Sequence, residues 1–465
     1  MPMTNAIKNI SNYSIPTRAI ALFFSLSLAQ AAFAGIPVVQ WTHASGARVF
    51  LVESPAIAMV DIKLDFDAGA RRDPADKIGL ASVTAGLASQ GVLASGNQGA
   101  LDENALGEAW ADLGASFGGN ASSDRMGFSL RSLTYPDILP KAVALAARQL
   151  GEPSFPNEVW QRNRQRINAS IKEANTRPAT LANRAFASGV YGKHPYGNEV
   201  TEQSLANISV DDMKAFYTSA IAPCRAVVTM VGAVSRAQAD GIVGELLSRL
   251  KPLQSMGALK ADCAPWAPVP EVAPLAQAKD ERIAFDSAQA HVLIGQPGFK
   301  RDDPDFFALT VGNYILGGGG FVSRLTAEVR EKRGLSYSVY SYFSPALHAG
   351  AFTIGLQTRP DQANQAVQVS REVLQKFVAD GPTPAELQAA KDNLIGGFAL
   401  RIDTNAKLLD NVSNIAWNNL KLDYLDTWTQ AVEKITLADI KAAFARKLQP
   451  EKMVTVVVGG ADAGK

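Results

Sequence analysis

An internal repeat is the feature that most limits the folds open to this chain. Residues 208–234, ISVDDMKAFYTSAIAPCRAVVTMVGAV, align without gaps with residues 435–461, ITLADIKAAFARKLQPEKMVTVVVGGA. Each copy predicts a helix that starts at a Ser or Thr before an Asp-containing turn, followed after a proline by a β-branched strand. Two tandem domains of about 220 residues with the same ending explain this best. A chance likeness of one helix–strand unit is the alternative.

The rest of the pattern predicts an α+β fold rather than a strict βαβ alternation. Two strands are expected within residues 49–66, and further strands at 291–299 and 350–360. Amphipathic or glycine-terminated helices are expected at 80–91, 137–153, 158–177, 305–318, 360–381 and 383–402. A Pro- and Ala-rich linker at residues 251–281 separates an N-terminal domain, residues 35–250, from a C-terminal domain, residues 282–465.

Composition excludes several classes of function. The 465 residues are 47% hydrophobic and 19% charged, which is enough for two domains with sizeable cores. The formal net charge is +1, so no strong field points to a nucleic-acid partner. Beyond the N-terminus no segment reaches the 18 or so apolar residues of a membrane span, so the mature chain is expected to be soluble.

The N-terminus resembles an export signal. Residues 1–34 contain no Asp or Glu, and Lys8 and Arg18 precede an apolar block that ends in Ala32-Phe33-Ala34. This pattern predicts a signal peptide cleaved after Ala34, and hence a periplasmic or secreted protein. An uncleaved anchor or a mitochondrial presequence is the alternative. In an oxidising compartment the two cysteines, Cys224 and Cys263, can pair, but the sequence leaves open whether they do.

Three stretches resemble the pitrilysin/insulinase-like metallopeptidases, the family that includes mitochondrial processing peptidase. They are DAGARRDPADKIGLA with YGKHPYGNEVTEQSLANISVDDMKAFY, the linker-separated repeat, and ILGGGGFVSRLTAEVREKRGLSYSVYSYF at residues 315–343. The last is the most specific. The resemblance implies two tandem homologous domains, each a β-sheet with helices packed on one face, which form a clamshell around a peptide.

The zinc motif of that family is missing from this chain. Active members carry H-x-x-E-H on the helix after the first stretch, with two histidines on one helical face and a glutamate as general base. The matching positions here are Ser82, Ala85 and Gly86. For the distal glutamate ligand of the family, the resemblance gives Ser170 as the best match and Asn163 as the alternative. No metal is therefore expected in this chain.

Other catalytic chemistry finds little support. The four histidines, His43, His194, His291 and His348, are far apart in sequence, and nothing in the sequence indicates that they converge. No G-x-S-x-G elbow is present near residue 82, and the two cysteines flank the predicted linker. An enzyme that acts alone through an unrecognised metal or base stays open as an alternative.

The second half of the family's site has a match in REKRGLSY. In the family, an Arg and a Tyr seven residues apart hydrogen-bond the backbone of the bound peptide; here they are Arg330 and Tyr337. Arg330 is expected near the end of a helix that begins near Ser323, and Tyr337 at the start of the next strand. An edge strand around Asn120, protected by Arg125 and Arg131, is also expected, with substrate pairing on that strand as the alternative.

The resemblance therefore implies a non-catalytic, substrate-binding subunit of a heterodimeric zinc peptidase. Zinc is expected in a homologous partner that carries H-x-x-E-H, and the substrate is expected to be an extended peptide. A stand-alone peptide-binding or chaperone-like protein without peptidase activity is the alternative. The sequence names neither the partner nor the cleavage preference, and it does not decide whether the chain homodimerises alone.

Overall fold

A computed structural model describes residues 35–251 and 266–460. The predicted signal peptide at residues 1–34, and Cys263, lie outside the described residues. Eleven strands occur in the described part: β1 Val39–Thr42, β2 Arg48–Glu53, β3 Met59–Phe66, β4 Ser116–Ala121, β5 Met126–Leu133, β6 Val227–Gly232, β7 Lys279–Ile283, β8 Ala290–Pro297, β9 Val339–Phe343, β10 Ala351–Thr358 and β11 Val454–Val458.

Fourteen α-helices accompany these strands within the described ranges. The first eight are α1 Leu80–Ala88, α2 Glu103–Asp112, α3 Leu139–Gly151, α4 Asn157–Ala174, α5 Pro178–Tyr191, α6 Glu202–Ala206, α7 Val210–Ala220 and α8 Arg236–Leu247. The other six are α9 Phe306–Asn313, α10 Ala363–Asp380, α11 Pro384–Gly396, α12 Asn405–Trp417, α13 Tyr424–Lys434 and α14 Leu437–Lys447. Two π-helices, Tyr314–Gly318 and Thr326–Glu331, lie between α9 and β9.

The strands form two sheets of matching topology. The first has the order β1-β2-β6-β3-β5-β4, and the second the order β7-β11-β8-β10-β9. In each, the last strand of the half runs parallel to one neighbour and antiparallel to the other: β6 lies between β2 and β3, and β11 between β7 and β8. The second sheet thus repeats the first without β1, and the α+β class predicted from the sequence is confirmed.

The repeat seen in the sequence forms corresponding elements in the two halves. Helix α7 precedes β6, and α14 precedes β11. The Ser209 side chain caps α7 in a reciprocal capping box with Asp212, and Thr436 caps α14 in the same way with Asp439. Because these caps are local, the sequence alone was sufficient to place both helix starts.

Each sheet is covered on one face by helices of its own half. The first core contains residues from α1, α2, α3, α7 and α8 together with the inward side chains of β2, β3, β5 and β6. The second core contains α9, α10, α11, α13 and α14 with β8, β9, β10 and β11. This arrangement is the one predicted, a sheet with its helices on one face.

The other face of each sheet is covered by a helix from the opposite half. Helix α12 places Leu409, Val412 and Ile415 against β2 and β6 of the first sheet. Helix α5 places Ala182 and Phe186 against β8, β10 and β11 of the second sheet. The halves are therefore joined by exchanged helices, which the sequence did not predict because their partners are more than 100 residues away.

Three further features bear on the predictions. None of the described helices combines the length and the apolar run that a membrane crossing requires. Cys224 is disulfide-bonded, while the second cysteine of the chain, Cys263, falls in the part that is not described. The second sheet begins with β7 at Lys279, three residues before the predicted start of the C-terminal domain.

Candidate functional site

Helix α1 stands where active relatives are expected to carry their zinc ligands. It starts at Leu80, where Asp73 accepts hydrogen bonds from the amides of Gly79 (2.7 Å) and Ala81 (2.8 Å) and so caps the helix. The three positions of interest lie on its first and second turns.

The α1 side chains do not fit a zinc ion. Ser82 is exposed, Ala85 is fully buried (0%), and a Cβ on Gly86 would meet no atom within 4 Å. Ser82 and Gly86 are four residues apart and share a helix face, which offers one hydroxyl and no imidazole or carboxylate. Zinc in proteins is held by Cys, His, Asp and Glu, so no reaction step can be assigned to a metal on this helix.

The distal position is better matched by Asn163 than by Ser170. Both residues lie on α4, but Ser170 is exposed, whereas the Asn163 amide donates a hydrogen bond of 2.8 Å to the Gln90 side chain just beyond α1. Glu173 is exposed and pairs with Arg177. The contact with Gln90 therefore favours the alternative register, Asn163, which lies two helical turns before Ser170.

Two histidines that are distant in sequence come together in the structure. The rings of His194 and His348 lie 5.1 Å apart, centroid to centroid, a convergence that nothing in the sequence had indicated. Across residues 35–251 and 266–460, however, no group of three or more His, Cys, Asp or Glu side chains is arranged to hold a metal ion.

The Arg/Tyr segment follows a glycine-rich turn that joins the two π-helices. A Cβ on Gly317 would lie 2.5 Å from the Ser341 amide of β9, and Gly320 has a φ of +62°. These two positions require glycine, one for close approach and one for backbone conformation. The Ser323 hydroxyl then accepts a hydrogen bond from the Thr326 amide (3.4 Å), which supports the predicted helix start near Ser323.

Arg330 lies on the second π-helix with its guanidinium over the exposed ring of Phe321, 4.6 Å from the ring centroid. Its Nε is 3.4 Å from the Glu331 carboxylate. π-Helical turns are rare in proteins, but those that occur are frequently found at functional sites. The side chain is partly exposed, so its donors remain accessible to a ligand.

Arg324 anchors the same helical segment from its other end. It binds both carboxylate oxygens of Glu386 (2.6 and 2.7 Å) and donates to the Gly381 carbonyl (3.1 Å). These hydrogen bonds from Arg324 hold the pKa of Glu386 at about 2. Glu328 of the same segment instead pairs with Lys332 and Arg333.

Tyr337 lies two residues before β9 rather than in the strand. The chain turns back after Arg330 through Gly334, whose amide donates to the Arg330 carbonyl (2.8 Å) and whose φ is +61°. Tyr337 is 87% exposed, and no hydrogen bond links it to Arg330 within the described ranges. The structure thus places both residues on one surface segment, with their polar groups free to contact a third molecule.

The predicted edge strand is present, but its arginines act elsewhere. β4 is the last strand of the first sheet and lies beside α1. Arg131 forms two hydrogen bonds with Asp61 of β3, and Arg125 binds Asp65 and Ser413 of α12. These arginines therefore bridge β5 to β3 and to the opposite half; they do not protect the edge.

Comparison with known proteins identifies the family. Residues 48–204 match the insulinase family model (peptidase family M16), and residues 207–394 match the model of the peptidase M16 inactive domain. The chain is similar to a peptidase M16 inactive domain from Pseudomonas fluorescens, whose crystal structure is known. The two sequences are 33% identical, and the structural match covers 92% of this chain and 99% of that chain with a TM-score of 0.83. This chain belongs to the peptidase M16 family. The predicted resemblance is confirmed.

Other similar proteins differ in what their names state. The non-peptidase homolog YmxG of Helicobacter pylori is 26% identical over 433 residues, which are 90% of this chain and 94% of that protein. An uncharacterized zinc protease of Streptomyces coelicolor is 29% identical over 327 residues, 69% of each chain. The periplasmic protease PqqL of Escherichia coli shares the fold, with a TM-score of 0.75 at 17% identity, over 97% of this chain and 49% of that one.

These M16 matches support the coarse assignment made from the sequence. The chain is an M16 homologue of the inactive type, consistent with a non-catalytic peptidase-like protein, and its two-domain relatives are consistent with a clamshell. The sequence did not predict that Glu386 binds Arg324 and thereby supports the segment that carries Arg330. T-x-x-E at residues 383–386 signals a helix cap, but nothing local indicates that the same carboxylate binds Arg324.

Proposed function

We propose that this chain is the non-catalytic, substrate-binding subunit of a heterodimeric zinc peptidase. The observation that carries the proposal is an asymmetry between the halves. Helix α1 has no zinc ligand at Ser82, Ala85 and Gly86, whereas Arg330 and Tyr337 are accessible on the surface of the second half. Such a chain can bind a peptide but needs a homologous partner with H-x-x-E-H to supply zinc.

The chemistry of the pair suits a peptide backbone. The Arg330 guanidinium is a rigid fork of N–H donors, and its contact with Phe321 limits the orientations it can take. The Tyr337 hydroxyl is a donor on a stiff ring. Together they can donate hydrogen bonds to a carbonyl oxygen of an extended peptide, and more strongly to one that gains negative charge during hydrolysis in the partner's site.

An exported location belongs to the same proposal. It rests on the predicted signal peptide, with its small residues at positions 32 and 34. A periplasmic or secreted complex would meet unfolded or short peptides, which are the substrates that an extended binding mode admits.

The first test compares the chain alone with the mixed subunits. Residues 35–465 are purified alone and with a homologous subunit that carries H-x-x-E-H, and zinc content and hydrolysis of an unstructured peptide are measured for each. The proposal expects a zinc-free, inactive chain that raises the activity of its partner. Stoichiometric zinc and hydrolysis by this chain alone would contradict it.

Point variants then test the two residues. Arg330→Ala and Tyr337→Phe are each expected to lower peptide hydrolysis by the complex about 10²-fold or more, which is the scale observed for loss of an oxyanion donor. Arg359→Ala and Tyr342→Phe are matched controls, because Arg359 is an exposed arginine paired with Asp361 and Tyr342 is a half-exposed tyrosine of β9. Unchanged turnover in both test variants would exclude the role.

A stand-alone peptide-binding protein is the second candidate. It is favoured by the match to a Helicobacter pylori protein named as a non-peptidase homolog. Under this alternative the purified chain binds unfolded peptides with the same dependence on Arg330 and Tyr337, and no H-x-x-E-H subunit gains activity from it.

A further inference from the structure

Two histidines meet where the halves of the chain join. His194 lies in the turn after α5, and His348 lies in the loop between β9 and β10. Their rings are 5.1 Å apart, and the Tyr196 ring lies 4.6 Å from His194 and 5.7 Å from His348. The carboxylate of Glu271, which lies within the predicted linker, is 3.5 Å from Nδ1 of His348. This contact is independent of the Arg330 surface.

The loop that carries His348, residues 344–350, is held from outside its own half; we refer to it as the latch loop. Three consecutive amides of the loop donate hydrogen bonds to side chains of the first half and the linker region: Leu347 to Asp124 (3.2 Å), His348 to the Tyr196 hydroxyl (3.2 Å) and Ala349 to Glu271 (2.8 Å). These bonds report directly on whether the halves remain joined at this point.

His194 is bonded in a way that only a neutral ring allows. Its Nδ1 accepts a hydrogen bond from the Tyr196 amide (3.1 Å), which caps the short turn at residues 195–197. The proton of the neutral ring is therefore on Nε2, which is buried and faces the Pro270 backbone. A second proton would occupy Nδ1 and oppose the Tyr196 N–H, so this bond would be lost.

The surroundings also oppose a charge on His194. The ring is 7% exposed, and burial, followed by the neighbouring His348, lowers the pKa of His194. A hydrogen bond with the Pro270 backbone and attraction from Glu271 and Asp124 oppose this shift without reversing it. Both carboxylates already accept hydrogen bonds from other groups. The titratable and charged groups that face the pair from the elements around it are Arg71, Asp124, Tyr191, Tyr196, Glu271 and Lys300.

We propose that the His194–His348 contact is a pH-sensitive latch between the halves, which is closed when His194 is neutral and released when it is protonated. Protonation breaks the cap on Tyr196 and sets a cation beside a second imidazole. The turn that carries Tyr196 then moves away from the latch loop. The inference concerns the chain itself and does not depend on the proposed peptidase partner.

The direction of the pH dependence follows from linkage. Because the pKa of His194 is lowered in the closed state, its contribution to closure is complete above the ordinary histidine pKa of about 6.5 and is lost as the pH falls through and below that value. The latch is thus expected to be closed at neutral pH and to loosen in mildly acidic solution.

Hydrogen–deuterium exchange of the whole mature chain tests this directly. Protection factors, which are corrected for the intrinsic effect of pH, are compared at about pH 7.5 and about pH 5 for peptides that cover the latch loop and, as an internal control, β6. We expect latch-loop protection in the wild type to fall at the lower pH, because protonation of His194 opposes the closed state, with little change in β6.

Two variants separate titration from simple packing. His194→Asn keeps an acceptor for the Tyr196 amide but cannot be protonated, so its latch-loop protection should not respond to pH. His348→Gln removes the second imidazole and should reduce the response. A pH-independent wild type, an equal fall in His194→Asn, or an equal fall in β6 would each overturn the proposal.

Discussion

The exchange of helices between the halves makes a quantitative prediction for Phe186→Ala. Phe186 belongs to α5 of the first half but packs on the second sheet, where it is 7% exposed. A Cβ added at Gly295 of β8 would lie 2.7 Å from the tip of the Phe186 ring, so the ring lies directly on the sheet. Truncation of this side chain leaves a cavity between the halves.

The magnitude follows from the buried area. An aromatic side chain buries about 150 Å² or more, and at about 25 cal/mol per Å² this corresponds to about 4 kcal/mol. Measured Phe→Ala costs of about 3–5 kcal/mol in protein cores agree with that figure. The free energy of unfolding should therefore fall by about 4 kcal/mol. Because the urea m-value of a chain of this size is about 3 kcal/mol/M or more, the urea midpoint should fall by about 1 M or less.

The assay is urea unfolding followed by far-UV circular dichroism, with Phe321→Ala as the matched control. Phe321 is 73% exposed, so the same substitution there should cost less than about 1 kcal/mol. If both variants unfold at the same urea concentration, Phe186 does not join the halves and the exchanged-helix interpretation is refuted.

Two further predictions concern single polar contacts. Glu386→Gln removes the ion pair with Arg324 and should lower the free energy of unfolding by about 1.5–3 kcal/mol at neutral pH. Because the pKa of Glu386 is lowered to about 2, this stabilisation is present above the ordinary pKa of a glutamate and is lost as the pH falls toward 2. The stabilities of wild type and variant, measured by urea unfolding at decreasing pH, should therefore converge near pH 2. Tyr217→Phe removes the buried hydrogen bond from its hydroxyl to the Leu150 carbonyl (2.6 Å) and should cost about 1–3 kcal/mol in urea unfolding, whereas a cost near zero would show that this carbonyl finds another donor.

The candidate site was predictable where residue type alone decides the chemistry. Ser82, Ala85 and Gly86 cannot serve as zinc ligands in any fold, and REKRGLSY sets Arg330 and Tyr337 a fixed distance apart along the chain. The sequence could not decide between Ser170 and Asn163, because equivalent turns of one long helix differ only in what packs against them.

Local signals in the sequence determined the α+β class, the repeat and the starts of helices such as α7 and α14. Caps, glycine turns and alternating apolar residues act within a few positions, so a sequence contains them completely. Only the tertiary structure decided the exchange of α5 and α12, the bond between Arg324 and Glu386, and the meeting of His194 with His348. These contacts join residues far apart in the chain, and packing of the two halves sets which of the many available partners each residue meets.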